Sequence, residues 1–186
     1  AGFNMSENRG CEPFTVQFDN ITIGQAEYVW DFGDDRFSTL RSPEHTFDKA
    51  GVYTIKLTAK GKYKTDVTEK QIEVLPSPKA AFSVQSTQVY VPDAEVSFHC
   101  ENIDMQSYYW DFGDGHFSTQ KDPFYTYTEN GEYDITLIVT DLNGCADTLT
   151  YEKYIRVGEG AFIVFPTAFT PNVTQMLDGK YKTEER

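Results

Sequence analysis

The chain has 186 residues, of which 39% are apolar and 15% aromatic, so it can bury one medium-sized core or two small ones. Its formal net charge of −13 makes nucleic acid and anionic membranes poor partners, because repulsion replaces the counterion release that drives such binding. The sequence has no apolar run long enough to span a membrane, and no signal-peptide pattern starts at Ala1. Because it begins at Ala1 without a methionine, we expect a processed or excised part of a longer protein.

Alternating apolar and polar residues predict β-strands along the first part of the chain. Phe14, Val16 and Phe18 have the period-two spacing of a half-buried strand, and the stretch from Gly51 to Ala59 has the same spacing. No stretch has a convincing helical period. The two prolines in 76–79 then predict a short, semi-rigid connector.

The chain repeats itself after this connector with an offset of 80 residues. YVWDFGDDRFST, which starts at Tyr28, returns as YYWDFGDGHFST from Tyr108. Positions 28–57 and 108–137 are identical at 15 of 30 sites without a gap, which is far beyond chance. The strand patterns recur too, at 94–98 and 133–139. The chain therefore contains a duplicated domain.

About seven short strands in each eighty residues, without helices, predict an all-β fold. We expect two antiparallel, immunoglobulin-like β-sandwiches in tandem, arranged as an elongated pair. The predicted boundaries are a first sandwich at 1–75, a linker at 76–79, a second sandwich at 80–158 and an incomplete C-terminal segment at 159–186.

Three cysteines are an odd number, so at least one of them lacks an internal partner. Cys100 is in phase with the apolar residues of its strand and should be buried. Cys145 follows a turn signal and should be exposed. A bond from Cys11 or Cys145 to a neighbouring module is one way of pairing them.

The repeated motif resembles the polycystic kidney disease (PKD) repeat. The resemblance rests on WDFGD, FST, a proline, an aromatic residue and Gly-x-Tyr-x-Ile-x-Leu, and it spans 10–75 and 80–158. It implies an immunoglobulin-like sandwich in an extracellular protein. The first copy departs from the family pattern with Asp35 where glycine is usual, whereas the second copy keeps Gly115.

A second resemblance lies near the C-terminus, in FPTAFTPN at 165–172. This segment is similar to the start of the gliding-motility-associated C-terminal domain, a type IX secretion element. The family usually continues as TPNGDG, but this chain continues as TPNVTQ. The resemblance implies export to the surface of a gliding-type bacterium.

The repeated motif contains DFG, the tripeptide that holds magnesium in protein kinases. A kinase also needs a glycine-rich phosphate loop, a strand lysine and an HRD-type loop, and the sequence contains none of them. We therefore interpret the motif as a structural signature, in which tryptophan fills the core, glycine makes a turn and aspartate ties the turn down. The signature residues are Trp30, Asp31, Gly33, Asp34, Trp110, Asp111, Gly113 and Asp114.

Calcium is the one cofactor that the sequence leaves open. Asp31, Asp34, Asp111 and Asp114 supply hard oxygen ligands close together, although no EF-hand pattern surrounds them. The alternative is that these aspartates only cap turns.

Residues 79–158 carry 4 basic and 13 acidic residues, a net charge of −9. Such a charge usually serves solubility, and the alternative is that it binds a cation or a basic partner.

The sequence gives less support for a catalytic, zinc or glycan-binding site. His45, His99 and His116 are expected to be surface imidazoles, and no zinc or nucleophile motif is present. A glycan platform would need exposed aromatic rings, but both tryptophans are assigned to the core. The aromatic residues left for such a platform are Tyr109, Tyr125, Tyr151 and Tyr154.

From these features we expect a non-enzymatic surface or secreted module that spaces, presents or docks within an adhesin or a type IX secretion or gliding assembly. Its expected partners are proteins at the cell surface, with glycan as a further candidate, and neither nucleic acid nor direct membrane insertion is expected. The alternative function is that of an accessory module of an extracellular hydrolase, which would bind a glycan or protein polymer.

Overall fold

The computed structural model describes residues 1–24 and 26–160, which form sixteen β-strands and no helix. The first eight strands form module one: β1 (Phe3–Met5), β2 (Arg9–Cys11), β3 (Phe14–Asn20), β4 (Glu27–Asp31), β5 (Phe37–Ser38), β6 (Glu44–Phe47), β7 (Gly51–Lys60) and β8 (Thr65–Leu75). The other eight form module two: β9 (Phe82–Val84), β10 (Gln88–Val91), β11 (Ala94–Cys100), β12 (Ser107–Asp111), β13 (Phe117–Ser118), β14 (Phe124–Tyr127), β15 (Gly131–Thr140) and β16 (Ala146–Glu159).

Each module packs a three-stranded sheet against a five-stranded sheet. In module one the orders are β1-β3-β6 and β2-β8-β7-β4-β5, and in module two they are β14-β11-β9 and β10-β16-β15-β12-β13. Pairing is antiparallel except for one parallel pair in each module, β2 with β8 and β10 with β16. The predicted all-β tandem of two sandwiches is confirmed. Each module has eight strands instead of about seven, because β5 and β13 are two-residue strands too short to show alternation.

The core of each module lies between its two sheets and follows the predicted alternation. Every second residue of β3 and of β11 is buried, as the apolar spacing in those strands requires. Trp30 and Trp110 are fully buried, and each indole Nε1–H donates to a backbone carbonyl, of Leu40 at 2.9 Å and of Gln120 at 3.0 Å. This bond satisfies the only polar group of the indole inside an apolar core.

Module two contains a β-bulge that module one lacks. In β15, Tyr133 pairs with Ile155 and Ile135 pairs with Tyr151, so two extra residues of β16 bulge out between these pairs. Within the bulge, Lys153 has a φ of 50°, and its N–H donates to Asp134 Oδ1 at 2.7 Å. In module one, β7 and β8 pair without interruption.

The cysteine expectations are partly wrong. Cys100 is buried, as predicted, and has a free thiol, but Cys145 is also buried, with 1% of its surface exposed. Cys145 forms a disulfide with Cys11 across 134 residues of sequence. The turn signal before Cys145 indicated exposure because the sequence does not show that the other module lies against this turn.

Some predictions fall outside the described residues. These are the type IX secretion resemblance at 165–172 and nearly all of the C-terminal segment, which the sequence assigns to 159–186. Across 1–24 and 26–160, the structure contains no helix of the length and apolarity needed to cross a membrane.

Candidate functional site

The repeated DFGD motif forms the turn between the fourth and fifth strands of each module. In module two, Asp111 Oδ1 accepts the N–H of Gly113 at 2.9 Å, and Asp114 Oδ1 accepts the N–H of His116 at 3.1 Å. The backbone N–H of Phe112 also donates to the carbonyl of His116 at 3.1 Å. These are two consecutive Asx-type bonds, which fix a tight turn through aspartate side chains.

Module one builds the same turn from the equivalent residues. Asp31 Oδ1 accepts the N–H of Gly33 at 3.0 Å, and Asp34 Oδ1 accepts the N–H of Arg36 at 3.2 Å. The four aspartates singled out in the sequence therefore lie in two separate turns, and each uses one carboxylate oxygen on its own backbone.

The glycine of each turn is required by its conformation and by its surroundings. Gly33 and Gly113 have φ values of 76° and 81°. A Cβ at these positions would lie 2.9 Å from the carbonyl oxygen of Thr54 and 2.4 Å from that of Asp134. These distances leave no room for a side chain, because the obstructing atoms belong to the backbone of the neighbouring strand.

The second oxygen of the later aspartate binds a side chain of the three-stranded sheet. His45 Nε2 lies 2.8 Å from Asp34 Oδ2, whereas in module two the hydroxyl of Tyr125 donates to Asp114 Oδ2 at 2.6 Å. Each ring also stacks on the phenylalanine of the motif: His45 on Phe32 at 3.9 Å between centroids, and Tyr125 on Phe112 at 4.2 Å. The two sheets of each module are thereby joined at the turn.

Sequence reasoning missed this aromatic partner. The signal was present, because the 80-residue offset aligns His45 with Tyr125. The expectation that His45 is a surface imidazole is wrong: only 9% of its side chain is exposed, because it is stacked beneath the turn. His99 and His116 are exposed at 65% and 71%, as predicted.

The tyrosines behind the turn of module two are held in their protonated form. Burial raises the pKa of Tyr125, and its hydrogen bond to Asp114 raises it further. Burial also raises the pKa of Tyr127, the nearby Asp114 carboxylate adds to the shift, and the Tyr127 hydroxyl donates to the Phe112 carbonyl at 3.0 Å. These hydroxyls thus act as hydrogen-bond donors that hold the turn.

The turns do not assemble a recognisable metal centre. Across the described ranges, no three His, Cys, Asp or Glu side chains converge closely enough to hold an ion. Calcium binding at Asp31, Asp34, Asp111 and Asp114 stays a prediction. Calorimetric titration of the chain with millimolar calcium tests this prediction. The absence of both a heat signal and a thermal shift would contradict it.

The tyrosines considered for a glycan platform lie in different surroundings. Tyr125 is half-buried under the turn, and Tyr151 and Tyr154 pack on Phe82 at 5.1 and 5.7 Å between centroids. Tyr109 is 40% exposed and stacks at 5.6 Å on Phe117, which is 66% exposed. Tyr151 is also exposed, at 39%, so what distinguishes Tyr109 is its stacking on a second exposed ring.

A shallow groove lies next to this aromatic pair, on the outer face of the five-stranded sheet of module two. The groove combines carboxylates with hydroxyls, and the Oγ1 atoms of Thr136 and Thr150 are 2.8 Å apart within it. The bulge residue Lys153 forms one side. The lining residues are Asp111, Gly113, Glu132, Asp134, Thr136, Thr150 and Lys153.

Comparison with known proteins identifies relatives of both modules. A stretch of 120 residues is 32% identical to collagenase ColA of Clostridium perfringens, covering 62% of this chain and 10% of that protein. A stretch of 81 residues is 38% identical to the pre-pro-metalloprotease PrtV of Vibrio cholerae, covering 44% of this chain and 8% of PrtV. The chain thus spans about a tenth or less of the length of these relatives.

The crystal structure of the PKD1 domain of V. cholerae PrtV is 34% identical to the part of the chain that it matches. The match covers 44% of this chain and 98% of that domain, with a TM-score of 0.37. The family model of the PKD domain matches twice, at residues 1–76 and 75–157, which confirms the resemblance seen in the repeated motif. The chain therefore belongs to the PKD domain family and carries two copies of the domain in tandem.

Proposed function

We propose that the chain is a non-catalytic accessory module of a secreted or cell-surface protein, which holds other parts of that protein at a fixed spacing and docks on a protein partner. The observation that carries this proposal is the disulfide between Cys11 and Cys145, one from each module. A covalent bond between two adjacent domains restricts their relative motion, which a linker alone leaves free. Disulfides form in oxidising compartments, which supports an extracellular location.

Hydrogen bonds at both ends of the linker support the same function. On the side of module one, Ser77 Oγ donates to the carbonyl of Glu12 at 2.7 Å. On the side of module two, the N–H of Ala80 donates to Asp147 Oδ2 at 2.8 Å, and Asn102 Nδ2 donates to the carbonyl of Lys79 at 2.8 Å. Each end of the connector is therefore fixed to one module, which limits bending between the modules without preventing it.

The spacing function is tested with residual dipolar couplings of the isotopically labelled chain. With the disulfide intact, the couplings of both modules should fit one alignment tensor. In the Cys11→Ser/Cys145→Ser variant we expect two tensors of different magnitude, because the modules then reorient independently. Cys100→Ala, which removes the free thiol and leaves the disulfide, is the matched control. Two tensors in the unmodified chain would contradict the proposal.

The relatives favour a place beside an extracellular hydrolase, since two collagenases and a metalloprotease share these domains. The adhesin, secretion or gliding function rests on residues 165–172, outside the described part of the chain. Affinity capture from surface-exposed membrane fractions separates the two hypotheses. Recovery of a cell-surface protein assembly would support the adhesin or gliding function, whereas recovery of a polymeric substrate alone would support the hydrolase accessory.

A further inference from the structure

The outer face of the five-stranded sheet in module two carries unpartnered apolar surface. Tyr109 faces outward on β12, opposite Ile138 of β15, and Phe117 lies on the edge strand β13. The side chains of Tyr109 and Phe117 stack together and leave 40% and 66% of their surfaces exposed. An exposed aromatic pair on the outer face of a sheet is the kind of surface that anchors a partner.

Carboxylates lie directly beside this aromatic pair. The register places Asp111 opposite Phe117 on one side and opposite Thr136 on the other, so the pair and the groove share one row of the sheet. Glu132 has basic neighbours, with Lys153 Nζ at 3.2 Å and Arg156 Nε at 3.6 Å. Within residues 1–24 and 26–160, no basic side chain forms an ion pair with Asp111 or Asp134.

Among its described residues, module one does not have an exposed aromatic pair beside carboxylates on the equivalent face. At the positions of Thr136 and Thr150 it has Lys56 and Glu69, whose charged groups lie 3.6 Å apart and compensate each other. The 80-residue offset also replaces Asp134 with Thr54 and Tyr109 with Val29. The same sheet in the two modules therefore presents faces of different charge.

We propose that this face of module two docks a basic, arginine-containing segment of a protein partner. Charge complementarity selects this occupant, because residues 79–158 have a net charge of −9 and the carboxylates of Asp111 and Asp134, which bind backbone N–H groups but form no ion pair within the described ranges, lie beside the aromatic pair. An arginine guanidinium can stack on an aromatic ring and bind a carboxylate at the same time. The long-range negative field would also speed the approach of a basic partner. This inference rests on the proposed docking function and names the partner class.

The test uses the ¹⁵N-labelled chain and an acetylated, amidated peptide of sequence Gly-Arg-Gly-Arg-Gly, followed by NMR. We expect shifts concentrated at the amides of Tyr109, Asp111, Phe117 and Asp134. Replacing both aspartates, as Asp111→Asn/Asp134→Asn, should weaken binding about fivefold through the loss of two exposed ion pairs. Tyr109→Thr should weaken it about threefold through the loss of the ring. Asparagine can still accept the backbone N–H bonds, so these variants should remain folded.

Matched controls separate this site from general attraction to an acidic protein. Asp31→Asn, the equivalent change in module one, should leave binding unchanged, and a peptide with citrulline in place of arginine should not bind. Equal weakening by Asp31→Asn, equal binding of the citrulline peptide, or no shifts with millimolar arginine peptide would overturn the proposal. So would shifts at the same amides with maltohexaose but not with the arginine peptide, because they would indicate a glycan site. The dipolar-coupling test of module spacing does not depend on any of these results.

Discussion

At the scale of single residues, the DFGD turn explains why a motif that resembles a catalytic site has a structural role. Asp111 and Asp114 accept backbone N–H bonds within the turn, and Tyr125 closes it from the facing sheet. Both carboxylates are only partly shielded from water, and these bonds replace part of the hydration that they lose. The arrangement recurs in module one with His45 as the closing side chain.

The two glycines of the second turn should respond differently to substitution. Gly113→Ala places a Cβ 2.4 Å from the Asp134 carbonyl oxygen, so it should lower the free energy of unfolding by more than about 2 kcal/mol. Gly115→Ala has the same left-handed φ but no atom within 4 Å, so its cost should be about 1 kcal/mol. Urea denaturation measures both free energies of unfolding. Equal losses in the two variants would show that the clash with the Asp134 carbonyl oxygen does not affect stability.

Tyr127 should make module two sensitive to alkaline pH. Burial raises its pKa above the unfolded value of about 10, so the folded state keeps the proton while the unfolded chain releases it. The free energy of unfolding should therefore be unaffected below pH about 10 and should fall as the pH rises above it. Denaturation between pH 9 and 11 checks this. Tyr127→Phe, which copies Phe47 of module one, should flatten the slope, and an unchanged slope would contradict the assignment.

The sequence predicted part of this site and not the rest. The aspartates and glycines repeat with fixed spacing, so their role in a turn follows from local chemistry. The contacts of His45 and Tyr125 depend on how the three-stranded sheet faces the turn, which no local pattern specifies. Histidine and tyrosine differ in chemistry, so the sequence does not indicate that they have the same role. In the structure each ring stacks on the phenylalanine of the motif and binds the second aspartate of the turn.

At the scale of strands, alternation predicted four of the longer strands and missed the shortest ones. β3, β7, β11 and β15 each bury alternate apolar residues, so their period is visible in sequence. β5 and β13 have two residues and no period. Equivalent residues differ by 80 at Ile55 and Ile135 and by 83 at Ile72 and Ile155; the loop before β16 adds one residue and the bulge adds two. A longer loop alone would produce a similar change, so the sequence could not identify the bulge.

Hydrogen exchange should follow the position of each strand in its sheet. β15 and β7 are each paired on both sides, so their amides should be the most protected. The two-residue edge strand β13 should exchange faster, because it is paired on one side only. Mass spectrometry of exchanged peptides checks this order, and protection of β13 equal to that of β15 would contradict it.

At the scale of the whole molecule, the disulfide between modules decides how the tandem behaves. Three cysteines allowed several pairings, and choosing among them required knowledge of which turn of module two lies near β2 of module one. The start of the linker lies next to β2, because Cys11 is opposite Leu75 in the parallel pair of β2 and β8, and Leu75 is the last residue of module one. Such a contact joins residues far apart in sequence and leaves no local signal.

Removing this disulfide should destabilise the chain. The bond closes a long loop in the unfolded state, so the Cys11→Ser/Cys145→Ser variant should lose about 2–5 kcal/mol of unfolding free energy. Thermal and chemical denaturation under identical conditions measure the loss, with Cys100→Ala as the control that keeps the bond. No loss relative to this control would show that the disulfide does not constrain the unfolded chain.

Peptide mapping of the native protein tests most directly whether the two PKD domains are joined covalently into one spacing unit. Alkylation of accessible thiols, proteolysis without reduction and mass spectrometry should yield one crosslinked peptide pair, Cys11 with Cys145. Cys100 should react with the alkylating reagent only after denaturation, because it is buried and free. Recovery of Cys11 and Cys145 as alkylated free thiols, or of Cys100 in a disulfide, would contradict the account.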